Sequence, residues 1–180
     1  MSSLTPGPAG SGKLAVRPSR GAWRVTVYAV LLAVLGAVIG WVSTHPTALP
    51  TTDQTVQAET PVATPVYVGV FGTPADFDRT LRISGVRVFA SATADVTIVP
   101  HVCHGGSVNV TTTPESFCDE FGPTEDATLR SGDEIVLEVV GDVPGVVDID
   151  RVRIAYRDGL QWATQDAGAR SRVTILARGH

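Results

Sequence analysis

The chain has 180 residues, 18 of them acidic and 14 basic, with a formal net charge of −4. All 18 acids lie from Asp53 onward, where ten arginines oppose them, so this larger part carries −8 and is a poor match for the phosphates of nucleic acid. Residues 1–24 hold no acid, are rich in Ser, Gly and Pro, and have too few apolar side chains to fold into a cytoplasmic catalytic or DNA-binding unit.

The tail reads as a disordered cytoplasmic segment. Gly7 to Lys13 copies the start of a phosphate-binding loop, but Leu14 follows where Ser or Thr is needed, and no strand can precede it. Val25 to Val42 is an uncharged apolar run. At 1.5 Å per residue it spans roughly 27 Å, the thickness of a bilayer core. Trp23, Tyr28 and Trp41 mark its ends as interfacial anchors. Lys13, Arg17, Arg20 and Arg24 precede it, and this bias keeps the N-terminus inside and exports the rest. The run is longer than a signal-peptide core and lacks an Ala-x-Ala site, so it reads as an uncleaved single-pass anchor in the cell membrane. Gly36 and Gly40 form a small-xxx-small pair through which two such helices could pack as a homodimer.

Residues 43–65 are rich in Thr and Pro, lack apolar periodicity and read as a semi-extended linker. Residues 66–180 read as one exported all-β domain. Val66, Val68 and Val70 alternate. Leu81 and Ile83 share one face, and Val86, Val88 and Ala90 continue on the other parity, which places a bulge at Gly85. Further strands are expected at Asp95–Val99 and around Val108–Thr112. Ile135, Leu137 and Val139 alternate against Glu134 and Glu138, and Val152, Ile154 and Tyr156 against Arg151, Arg153 and Arg157. Val173 and Ile175 close the series. Roughly seven to nine short strands imply an immunoglobulin-like antiparallel β-sandwich. For the hairpin at Arg157-Asp158-Gly159, a three-residue loop pairs Tyr156 with Leu160, Ile154 with Trp162 and Val152 with Thr164, and turns all of them to the core.

Cys103 and Cys118 are the two cysteines, and an oxidising compartment favours a disulfide between them. The enclosed loop would contribute about 3 kcal/mol through chain entropy. A sharper alternative joins His101, Cys103, His104 and Cys118 in a Zn or Cu site, although their spacing follows no common zinc pattern. Glu115, Asp119, Glu120, Glu125 and Asp126 read as a solvated acidic loop, lacking EF-hand spacing. Asp148 and Asp150 read as a charge ladder with Arg151 and Arg153. His104-Gly105-Gly106 copies part of a lipase oxyanion loop, but no Gly-x-Ser-x-Gly elbow accompanies it. Asn109-Val110-Thr111 is a glycosylation sequon.

The segment Tyr156-Arg157-Asp158-Gly159-Leu160-Gln161-Trp162, with Val102-Cys103-His104-Gly105-Gly106-Ser107 and Phe117-Cys118, resembles small single-pass membrane proteins of high-GC Gram-positive bacteria that carry an exported β-sandwich. That resemblance covers roughly the exported half. It implies the compartment and the paired cysteines, and it brings no activity.

The expectation is therefore a non-enzymatic binding or scaffolding module with no cofactor, anchored in the bilayer and contacting another envelope protein. Metal handling by the His/Cys cluster is the alternative. Gln161, Trp162 and Gln165 are the candidate contacts if their strand lies at an edge, although alternation turns Trp162 to the core.

Overall fold

A computed structural model of the chain describes residues 20–44 and 46–178, with side chains from 23–41 and 46–178. The expectation for the first part of the tail, residues 1–19, lies outside the described residues. Helix α1 covers Arg20–Thr44, five residues earlier and two later than the apolar run. Its stretch Trp23–Trp41 is long and apolar enough to cross a bilayer. Built Cβ atoms at Gly36 and Gly40 would meet nothing within 4 Å.

Among the described residues the β domain has twelve strands: β1 Thr51–Pro61, β2 Val66–Gly72, β3 Leu81–Arg87, β4 Ala90–Ala92, β5 Val96–His104, β6 Val110–Thr111, β7 Glu120–Pro123, β8 Thr128–Leu129, β9 Glu134–Gly141, β10 Gly145–Ile149, β11 Val152–Asp158 and β12 Gln161–Leu176. They form two sheets. The seven-stranded one runs β4-β10-β12-β11-β3-β8, with β1 added alongside β12, and the five-stranded one runs β6-β2-β9-β5-β7. The count exceeds the expected seven to nine because β1 and the short pairings β4, β7 and β8 lack a strong apolar alternation of their own.

One core draws on both sheets. Val68, Leu137 and Val139 of the smaller sheet join Ile83, Val147, Ile154 and Tyr156 of the larger one. The helix-free alternation of these residues is what the buried face of a sheet requires. The bulge at Gly85 is present: Ala155 pairs Gly85 and Tyr156 pairs Ile83, leaving Ser84 as the extra residue.

Three expectations fail. Residues 51–61, read as linker, form β1, and β1 pairs β12 in parallel, so the larger sheet is not purely antiparallel. The inward positions of β1 are Val56, Ala58 and Thr60. Two of those three are too small or too polar to register as hydrophobic alternation. Thr60 is buried because its hydroxyl donates to the Thr64 carbonyl at 2.8 Å.

The β11–β12 hairpin is the second. Its loop is Gly159-Leu160, closed by Asp158 opposite Gln161. Gly159, with φ +56, takes the first central position, the place glycine holds in a type II′ turn. Tyr156 then pairs Ala163, Ile154 pairs Gln165 and Val152 pairs Ala167. Small side chains leave room for the buried Tyr156 ring, and Leu160, Trp162 and Thr164 point outward instead of into the core.

Third, Glu134 was read on the open face of β9. It is buried, because the disulfide loop covers that end of the smaller sheet. There Cys103, Val108 and Val136 build a second small core with Tyr67, Cys118 and Phe121.

Strand β12 changes partners midway. Gln161–Ala167 pairs β11, and the stretch from Gly168 onward pairs β1 and β10. Gly168 sits at the change with φ +78, and a Cβ there would overlap the Val70 carbonyl oxygen.

Candidate binding surfaces

Two regions concentrate polar chemistry: the disulfide end of the smaller sheet and the outer face of the larger one. At the first, Cys103 and Cys118 are disulfide-bonded with their Cα atoms 5.2 Å apart. Antiparallel pairing of β5 with β7 brings Cys103 opposite Phe121 and carries Cys118 within reach.

The proposed metal quartet does not converge. The two sulfurs are consumed by their bond. His101 Nε2 lies 2.9 Å from Glu138 Oε2, and its ring stacks on Phe121 at 4.8 Å. His104 Nδ1 lies 3.0 Å from Asp133 Oδ2. Neighbouring residues of an extended strand point to opposite faces, which separates His104 from Cys103. Among the described residues, no group of three or more His, Cys, Asp and Glu side chains is placed to hold a metal ion.

Asp133 and Glu134 organise this end, and neither was singled out from sequence. Asp133 accepts the Gly105 N–H at 3.1 Å and the Arg130 N–H at 2.8 Å. The amide an oxyanion loop would present at Gly105 is thus already used. Glu134 is only 8% exposed and accepts the Val108 N–H and a Ser107 hydrogen bond. Their signal in the sequence was faint: an Asp-Glu pair next to Gly132 at a strand start looks like an ordinary solvated turn.

Burial pushes the Glu134 carboxyl above the ordinary glutamate range, and the hydrogen bonds from Val108 and Ser107 only partly oppose it. Burial also raises the Tyr67 phenol, with Glu138 and Glu115 adding to the effect. For an acid raised in the folded state, the stabilising contribution is complete below the unfolded value and is lost as pH rises through the folded one. Stability should therefore fall as pH climbs above the ordinary glutamate range. Glu134→Gln should flatten that fall while keeping an acceptor for Val108. Urea melts of both proteins between pH 4 and 8 check this, and parallel profiles would show that Glu134 carries no such cost.

The acids Glu115, Asp119, Glu120, Glu125 and Asp126 are all exposed. Asp148 and Asp150 do form a charge ladder, but with different partners. Arg172 Nε donates to Asp148 at 2.6 Å and Arg170 Nε to Asp150 at 3.1 Å, following the register of β10 on β12. Arg151 turns to Asp53, and Arg153 pairs Asp166 at 2.7 Å. The Arg151 N–H and the Arg170 guanidinium hold the Asp150 carboxyl below its ordinary range.

The ladder belongs to the outer face of the larger sheet. Arg82, Arg87, Arg153, Arg157, Arg170 and Arg172 are exposed there, against Glu59, Asp148, Asp150 and Asp166. A domain that is acidic in total therefore presents one net basic face. Gly85 and Ala155, lacking bulk, leave a shallow depression bordered by Arg87, Arg153 and Thr164. A wider groove runs from Thr55 and Gln57 past Phe89 to the Asp148–Arg172 pair. Arg153 lies 5.2 Å from the Phe89 ring and Arg157 lies 5.4 Å from the Trp162 ring, so each guanidinium is braced on an aromatic face.

Of the three residues singled out as contacts, Trp162 is 65% exposed on this face. Gln165 is half-buried and its Oε1 accepts the Leu49 N–H at 2.8 Å, so it is tied into the fold. Gln161 is half-buried at the loop end of the hairpin. Gln161–Ala167 pairs β11.

No protein-family model, no curated protein and no solved structure matches this chain.

Proposed function

We propose that this chain is a single-pass membrane protein whose immunoglobulin-like β-sandwich lies outside the cell membrane and acts as a non-catalytic binding or scaffolding module. The outer face of the larger sheet is its contact surface, and an envelope protein is its partner. One observation carries this reading: a net basic, aromatic-braced, shallow sheet face on a domain whose other charged surfaces are acidic. Such a surface suits recognition of an acidic partner, since opposed potentials steer encounter and fix orientation. Arginine and tryptophan are also the residue types in which binding energy concentrates in protein interfaces.

The membrane part rests on α1 and on the positive residues before its apolar run. The extracytoplasmic part rests on that same charge bias and on the disulfide, which oxidising compartments maintain. Gly36 and Gly40 offer the face through which two anchors would pack as a homodimer.

A photo-crosslinking residue at Thr164, in the full chain and in native membranes, tests the contact surface. A discrete adduct with one envelope protein is expected, reduced at least about tenfold by Arg153→Glu together with Arg87→Glu. An adduct unchanged by that charge reversal would remove the basic face from the proposal.

A further inference from the structure

The loop of the β11–β12 hairpin presents Leu160, 85% exposed, and Trp162 beside it, 65% exposed, with Arg157 over the indole and Arg82 across from Arg157. An exposed leucine at a turn tip is unremarkable alone. Its position in the chain path is what gives it meaning. Arg79 binds the loop end of this hairpin through Asp158 at 2.7 Å, and the same guanidinium donates to the Thr47 carbonyl at 3.1 Å. The Leu49 N–H holds Gln165 of β12. The segment through which the chain enters the β domain is thus pinned to the hairpin. Thr47 follows Thr44, the last helical residue, by three positions. Three residues of chain span at most roughly 10 Å whatever their conformation.

We propose that the Gly159-Leu160 loop is a second membrane contact, lodged in the phospholipid interface of the bilayer that holds α1. This rests on the reading of α1 as a membrane anchor. The chemistry is that of an interfacial element. Leucine enters the acyl boundary, the indole sits at headgroup level, and arginine stems lie along the apolar layer with their guanidiniums at the phosphates. Asp158 is neutralised by Arg79, so the loop brings no uncompensated acid to the headgroups. The contact would hold the β domain in a fixed attitude on the membrane and keep the outer sheet face directed to a neighbour.

Trp162 can report this directly, because the chain has three tryptophans and the other two are Trp23 and Trp41. The full chain carrying Trp23→Phe and Trp41→Phe is reconstituted in phosphatidylcholine vesicles, with and without phosphatidylglycerol, containing shallow brominated lipid. Flotation of the vesicles reports insertion of α1, and Trp162 emission reports the loop. Co-flotation with at least about twofold quenching is expected, abolished by Leu160→Asp, a change at an exposed site that should leave the thermal melt unaltered. Co-flotation without quenching would overturn the loop contact and leave the anchor standing. Quenching that survives Leu160→Asp would overturn the role given to Leu160. Emission that responds to protein density and not to brominated lipid would assign the loop to a second copy of the chain. Failure to float would overturn the anchor, and the proposal with it.

Discussion

Gly168→Ala is expected to cost the β domain about 2–6 kcal/mol, a large share of an ordinary domain's stability. Two effects add. Gly168 has φ +78, where an L side chain is strained by about 1–3 kcal/mol. Its Cβ would also overlap the Val70 carbonyl oxygen and crowd the Phe71 side chain. Backbone cannot yield as a flexible side chain can, so β2 of one sheet would have to move from β12 of the other. Overpacking of that kind costs about 1–3 kcal/mol. Gly159 supplies the control. It has φ +56, yet a Cβ there would meet nothing within 4 Å. Gly159→Ala should therefore lose only the conformational part, about 1–3 kcal/mol, without the overpacking. Chemical denaturation of both variants in mild detergent separates them. Equal losses would mean that the sheets do not approach each other closely at Gly168.

Removal of the disulfide is expected to cost about 3 kcal/mol by loop closure, since 15 positions separate Cys103 from Cys118. The effect should be concentrated at one end of the domain. The bonded loop covers Val108 and Val136 and holds β7 so that Phe121 stacks on His101 and meets Tyr67 edge-on at 5.6 Å. Cys103→Ala with Cys118→Ala should therefore expose Tyr67 and Phe121 first, seen as faster amide exchange in β7 and at Val108 with the core of β9 still protected. Uniform exchange across both sheets would show that the bond serves global stability and not this local cover. Non-reducing mass spectrometry of the protein from its membrane should recover the Cys103 and Cys118 peptides joined.

The strands with strong alternation were legible without coordinates. Ile135, Leu137 and Val139 of β9, and Val152, Ile154 and Tyr156 of β11, face the core as their spacing requires. The phase change at Gly85 also revealed a real bulge. What hydrophobicity misread was the face of β12. Bulk favoured Trp162 inside, but the space opposite Tyr156 accepts Ala163 and that opposite Val152 accepts Ala167, so the register moved and Trp162 became surface. The error propagated to the ion pairs, because Arg153 meets Asp166 only in the two-residue register. Strand β1 escaped notice for a related reason. Its inward Ala58 and Thr60 gain burial from neighbours and a hydroxyl bond, not from apolar character. Glu134 was hidden because its cover is a loop distant in sequence, joined to the sheet by a disulfide. In each case the missing information was tertiary.

The central claim is that this protein works by contact through the outer face of its larger sheet. A crosslinking scan of the full chain in native membranes tests it most directly, with probes at Ser91 and Thr164 on that face and at Glu125 and Asp142 elsewhere on the domain, all four exposed. The account predicts a common envelope-protein adduct from Ser91 and Thr164 and none of that size from Glu125 or Asp142. The same adduct from Glu125 or Asp142, with Ser91 and Thr164 silent, would contradict it.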